Sequence, residues 1–175
     1  MTNALPFLKQ EVEQSIVARW RRVARRFPER VAVTTPDGGQ VTYQTIDAQS
    51  DQIAWALVNR LGLENAPVIL FLEHTPLLIA TIIGVLKANK AYIALGPMQT
   101  TELGSLLKTP AAPRLIITTA EHHSMARTVA ESQQDILHLE DVGETGTLSD
   151  IEISPDALAA LFFTSGTGGQ SKGVP

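Results

Sequence analysis

The chain has 175 residues, 44% of them apolar and 18% charged, with a mean hydropathy of +0.07. That composition excludes disordered, collagen-like and coiled-coil chains, and the length suits one α/β domain or one lobe of a larger one. A formal net charge of −4 argues against general binding to nucleic acid or anionic membranes, and zero cysteines exclude disulfides, a thiolate nucleophile and cysteine-ligated zinc.

Residues 1–30 carry seven Lys/Arg against three Asp/Glu, while the remainder is acidic. The stretch ARWRRVARR predicts a helix whose Val12, Ile16, Trp20, Val23 and Phe27 form one apolar stripe opposite the arginines. No second basic cluster accompanies it, so a docked helix with a solvated basic face is the expectation. Glu11 and Glu13 follow the short apolar patch at the N-terminus at once, so no export signal is read there and a cytoplasmic protein is expected.

Val31–Thr34 and Gln40–Tyr43 flank Thr-Pro-Asp-Gly-Gly, in which Asp37 and Gly38 supply turn chemistry for a small hairpin. The next helix is predicted to start at an N-cap, Thr42, and to bury Tyr43, Ile46, Ile53, Leu57 and Leu61 before a cap at Gly62. Asp47 and Asp51 lie four residues apart on that helix, and no other catalytic residue type is near in sequence. They are read as solvated.

Strands and helices then alternate. Val68–Leu72 is a continuous apolar run suited to a strand buried on both faces, and Pro76 opens an apolar helix to Ala88. Its apolar stretch of about ten residues is half of what a membrane span needs. Ala91–Leu95 is the next strand, Thr100–Lys108 a helix, Arg114–Thr118 a strand, Glu121–Glu131 a helix and Ile136–Leu139 a short strand. Asp141–Asp150, rich in Gly, Thr and acids, is expected to be the least ordered stretch. Leu158–Phe163 is a final apolar strand that enters a glycine-rich loop. The alternation predicts a doubly wound, mostly parallel α/β sheet flanked by helices. His74, His122, His123 and His138 show no metal-ligand spacing, so no metal site is assigned.

Only one segment carries readable chemistry: Phe163-Thr164-Ser165-Gly166-Thr167-Gly168-Gly169-Gln170-Ser171-Lys172-Gly173. Its glycines can turn backbone N–H groups inward, its hydroxyls add donors and Lys172 adds a point charge. Together these suit polyphosphate oxygens. The Walker pattern fails because Lys172 lies between Ser171 and Gly173, and the dinucleotide fingerprint fails at Ser171.

These residues resemble the phosphate-binding motif of the adenylate-forming (AMP-binding) enzymes, Tyr/Phe-Thr-Ser-Gly-Thr/Ser-Thr-Gly-x-Pro-Lys-Gly-Val. Thr164, Ser165, Gly166, Thr167, Gly169, Lys172 and Gly173 match it, while Gly168 and Ser171 stand where the family prefers Thr and Pro. Val41-Thr42-Tyr43-Gln44 is similar to the family's early Leu-Thr-Tyr-x-Glu-Leu motif. Leu86-Lys87-Ala88-Asn89-Lys90-Ala91-Tyr92-Ile93 resembles its Leu-Lys-Ala-Gly-x-Ala-Tyr-Val motif, with Asn89 in place of Gly and Ala94-Leu95-Gly96-Pro97 in place of Pro-Leu-Asp-Pro. The Leu-Lys-Ala form and the Ser-Pro-Asp-x-Leu-Ala run from Ser154 look most like the adenylation domains of nonribosomal peptide synthetases, with acyl-CoA synthetases as relatives.

The resemblance implies that residues 1–175 are the N-terminal fragment of an adenylation domain. It implies a ligase that uses ATP and magnesium to activate an amino, aryl or fatty acid, then passes it to a phosphopantetheine carrier or coenzyme A. Thr164, Ser165, Gly166, Thr167, Gly168, Gly169, Lys172 and Gly173 would bind the phosphates. The chain stops two residues past this loop, before the family's acid pocket, magnesium-binding acid and C-terminal lysine, so inactivity alone is expected. A nonenzymatic phosphate- or nucleotide-binding module, or an interaction fragment, is the alternative.

Overall fold

A computed structural model describes residues 13–109, 112–130, 134–143, 151–164 and 172–174. Helix α1 (Ile16–Arg26) is capped by Ser15, whose Oγ accepts from the Ala18 N–H at 3.2 Å. Its predicted stripe needs correction. Val17 and Ala24 are buried, whereas Ile16 is 58% exposed, and Val12 lies outside the described residues. Trp20 decides the roll of the helix: its indole N–H donates to Asp47 Oδ1 at 2.7 Å and its ring lies 5.4 Å from that of Tyr43. Specific bonds thus override summed hydropathy.

Strands β1 (Val31–Thr34) and β2 (Gln40–Thr42) form the expected hairpin, with Gly38 at φ 88 in its turn. Helix α2 (Tyr43–Leu61) begins where Thr42 Oγ1 accepts from the Thr45 N–H, and ends at Gly62, φ 69. There follow β3 (Pro67–Phe71), α3 (Pro76–Lys87), β4 (Ala91–Leu95), α4 (Thr100–Leu107), β5 (Leu115–Thr118), α5 (His123–Val129) and β6 (Asp135–His138). The predicted helix Glu121–Glu131 is therefore split, a 3-10 turn at Ala120–His122 preceding α5, and another 3-10 turn, Leu139–Asp141, follows β6. Residues 144–150 of the stretch expected to be least ordered lie outside the described residues.

The sheet runs β4-β3-β5-β6, all parallel. Its two faces are separated by the period-two alternation of β3. Val68, Leu70 and Leu72 pack with Ile53, Leu57 and Val85 of α2 and α3, whereas Ile69 and Phe71 pack with Leu103, Leu107 and Ala126 of α4 and α5. The doubly wound expectation holds. At the α2–α3 crossing a Cβ on Gly84 would sit 2.8 Å from both Ile53 Cβ and Ser50 O, so the backbones approach as closely as only glycine permits.

Asp47 and Asp51 are not simply solvated. Lys87, at the end of α3 with its side chain 1% exposed, donates from Nζ to Asp47 Oδ1 at 2.6 Å, Asp51 Oδ1 at 2.7 Å and Asp47 O at 3.1 Å. The four-residue spacing placed the acids on one face of α2; which cation faced them depended on the α2–α3 packing.

A second buried lysine, Lys90, donates from Nζ to Gly62 O and Glu64 O. Burial pushes its pKa below 10.5, with the Glu64 charge opposing. Between that lowered value and 10.5 the unfolded chain binds more protons than the folded one, so stability rises with pH there. Urea midpoints of wild type and Lys90→Met, compared from about pH 8 upward, should show this rise only in the wild type. Parallel pH curves would remove the buried-ammonium penalty from the account.

Candidate functional site

In open parallel sheets, ligands are held beyond the carboxyl ends of the strands, at the point where the winding reverses. Here that point lies between β3 and β5. Thr118 Oγ1 donates to Phe71 O at 2.9 Å across it, and His122 Nε2 stands 3.6 Å from a Glu73 carboxylate oxygen.

The route to the glycine-rich loop runs along β4. Asn65 Nδ2 donates to Asn89 O at 3.1 Å and Leu158 O at 3.3 Å, fixing the segment's start beside the amino end of the sheet. The Tyr92 N–H donates to Ala159 O at 3.0 Å and the Leu161 N–H to Tyr92 O at 2.9 Å, in a parallel bridge centred on Ala160. The chain therefore travels in the direction of β4, toward the carboxyl ends. It leaves that edge to form β7 (Phe162–Thr164), which pairs antiparallel with β8 (Lys172–Val174). The predicted strand Leu158–Phe163 is thus shorter along the main sheet and ends in a hairpin of its own. Composition does not distinguish these two pairings, because both want the same apolar run.

The hairpin register sets Phe162 opposite Val174, Phe163 opposite Gly173 and Thr164 opposite Lys172. Of the predicted phosphate-binding residues, Thr164, Lys172 and Gly173 are therefore brought together at the neck of a seven-residue connection. Ser165, Gly166, Thr167, Gly168 and Gly169 lie outside the described residues. Among the described residues, no group of three or more His, Cys, Asp or Glu side chains could hold a metal, so no magnesium position is assigned. No described helix is long and apolar enough to cross a membrane.

Two residues that fix this part of the fold receive no structural role in the sequence reading. Asn65 is invisible because its partners are backbone carbonyls. Asn89 shows in the sequence only as a departure from glycine; its φ of 56 lies in the left-handed region that Gly and Asn tolerate best, and its Nδ2 donates to Leu63 O at 3.1 Å. A cavity of about 90 Å³, lined by Ser15, Val17, Asn65, Lys90 and Leu158, lies at the amino end of the sheet, away from the end the loop approaches.

The pattern common to AMP-binding enzymes matches residues 20–175. The chain belongs to that family. Its curated relatives include the nonribosomal peptide synthetase sidE of Aspergillus fumigatus, 25% identical over 166 residues that cover 94% of this chain and 8% of that protein. The phosphinothricin tripeptide synthetase PhsB of Streptomyces viridochromogenes is 28% identical over 156 residues, 86% of this chain and 13% of its own length. This chain thus spans a small part of the curated relatives it matches. Among solved structures, the N-terminal subdomain of Klebsiella oxytoca NpsA superimposes with a TM-score of 0.78 at 20% identity, over 92% of this chain and 41% of that one. A fatty acyl-adenylate ligase from L. pneumophila, solved with acyl adenylate and pyrophosphate, gives 0.79 at 21% identity, over 97% and 31%. The α/β fold is that of the N-terminal portion of adenylate-forming enzymes.

Proposed function

We propose that this member of the AMP-binding family is the N-terminal part of an ATP-dependent ligase for carboxylic acids, and that its glycine-rich loop holds the departing phosphates. The hairpin register carries this reading: Thr164 and Lys172 pair at the neck of a loop containing Ser165, Gly166, Thr167, Gly168 and Gly169. In the reaction, a carboxylate oxygen attacks the α-phosphorus of ATP, the bond to the bridging oxygen breaks, and pyrophosphate leaves with the electron pair. A thiol then takes the acyl group and AMP departs. The loop's N–H and hydroxyl donors and the Lys172 ammonium would neutralise charge that grows on the leaving group.

The peptide-synthetase relatives and the acyl-adenylate ligase structure favour an amino, aryl or fatty acid as substrate. A carrier-bound phosphopantetheine or coenzyme A would accept the acyl group, with magnesium accompanying ATP, in the cytoplasm. Segments beyond those matched here would supply the acid pocket, so the 175-residue chain alone is expected to catalyse no acid-dependent exchange of labelled pyrophosphate into ATP.

Trypsin tests the loop at its neck, because Lys172-Gly173, at the start of β8, is a cleavable bond. Magnesium-ATP or pyrophosphate should slow cutting at Lys172 while leaving cutting after the exposed Lys108 unchanged. Equal rates with and without these ligands would sink the phosphate role.

A further inference from the structure

His123 is the first residue of α5 and His138 the last of β6, and the β5–α5–β6 crossover brings both toward one end of the sheet. His123 Nδ1 and His138 Nε2 are 2.7 Å apart, with the rings edge to face at a centroid separation of 4.7 Å. On the far side of His138, Nδ1 lies 3.2 Å from Asp141 Oδ2. A carboxylate only accepts, so the His138 proton sits on Nδ1 and the lone pair of Nε2 faces His123. The His138 side chain is 24% exposed, which leaves the pair open to solvent.

We propose that His123 and His138 form a two-imidazole site for a divalent transition-metal ion such as Zn²⁺ or Ni²⁺, with Asp141 as the positioning residue. Imidazole nitrogens about 2.0–2.1 Å from a shared metal lie roughly 2.9–3.4 Å from each other, for right-angled to tetrahedral geometry. The present 2.7 Å separation is that of a hydrogen bond, so an ion must part the two nitrogens by a few tenths of an ångström and turn both rings until their lone pairs meet at one point off the N···N line. In the free protein the His123 Nδ1–H donates to His138 Nε2; on metal binding the His123 proton moves to Nε2, which breaks that hydrogen bond and frees both lone pairs for the ion. Asp141 repeats the carboxylate–histidine–metal arrangement that orients a ligand and raises its basicity.

Water completes the coordination, since no third His, Cys, Asp or Glu among the described residues joins these two as a ligand. The site is thus exchangeable. Imidazole suits Zn²⁺ and Ni²⁺ and is a poor partner for Mg²⁺, so the magnesium that accompanies ATP would not compete. Of the neighbouring groups, Glu140 accepts from the Ala120 N–H at 3.1 and 3.2 Å, and His122 is buried with its Nε2 3.6 Å from a Glu73 carboxylate oxygen. A bound ion would tie the start of α5 to the end of β6.

Tag-free protein titrated calorimetrically with Zn²⁺, and separately with Ni²⁺, should bind one ion, and saturation should raise the melting temperature reversibly to EDTA. His123→Gln and His138→Gln should each weaken binding at least about tenfold. Asp141→Ala keeps both ligands yet should lose roughly 10–100-fold, with partial rescue by Asp141→Asn, which still accepts from His138 Nδ1. His74→Ala should change nothing, and millimolar Mg²⁺ should not displace the ion. Circular dichroism matching wild type qualifies each variant, and the Asp141→Asn rescue separates positioning from folding. Wild-type affinity in both His→Gln variants, or no saturable binding by the wild type, overturns the site; wild-type affinity in Asp141→Ala overturns the positioning role.

Discussion

Replacing Lys87 with alanine is expected to cost about 3 kcal/mol of folding stability, because it breaks a buried ion pair from one side. The Lys87 ammonium is the shared partner of Asp47 and Asp51, and Asp47 also receives the Trp20 indole N–H, so one substitution loosens α1, α2 and α3 together. The acids are 28% and 50% exposed, which lets water screen them and keeps the cost at the low end of the range for buried pairs. Lys87→Met fills the same space without the charge and should cost less. Lys87→Met combined with Asp47→Asn and Asp51→Asn should recover part of the difference, as the two carboxylates no longer repel. Urea unfolding of the set measures this. A loss under about 1 kcal/mol for Lys87→Ala would class the cluster with ordinary surface pairs.

Lys172→Ala, made in the ligase proposed above, should slow adenylate formation or weaken ATP binding about tenfold to a hundredfold. The phosphate reading assigns Lys172 a charge-assisted contact, worth about 1.5–3 kcal/mol when removed. Since the proposed contact is to phosphate, acid binding should suffer less than the adenylation step. Gly168→Thr and Ser171→Pro, which move the loop toward the family pattern, should leave activity equal or higher. Pyrophosphate exchange at limiting and saturating ATP separates rate from affinity. Unchanged kinetics in Lys172→Ala would detach the loop from the reaction.

Much of the architecture was legible because strong local signals agreed with one another. Thr42 and Gly62 bounded α2 correctly, and the unbroken apolar run at Val68–Leu72 announced a strand buried on both faces. Legibility ended where distant partners decided the outcome. The roll of α1 followed from Trp20 reaching Asp47, a bond no periodicity contains. Asp47 and Asp51 looked solvated because Lys87 lies on another helix, and His123 and His138 looked unrelated because a crossover, not a spacing, joins them. In the sequence, the phosphate reading of the loop rests on its residue types alone. That Thr164 and Lys172 stand opposite each other was not visible in them, for register belongs to the paired strands.

The bridge at Ala160 has a bearing on how the chain folds. Units such as β3–α3–β4 are assembled from neighbours in sequence, whereas Tyr92 must wait for a partner segment that is synthesised much later and must close a long loop to reach it. Until Ala159 and Leu161 arrive, the outer edge of β4 offers unpaired N–H and C=O groups to any passing strand. The segment that delivers the glycine-rich loop therefore also covers part of the β4 edge, at Tyr92, and that stretch stays open to other strands until it docks.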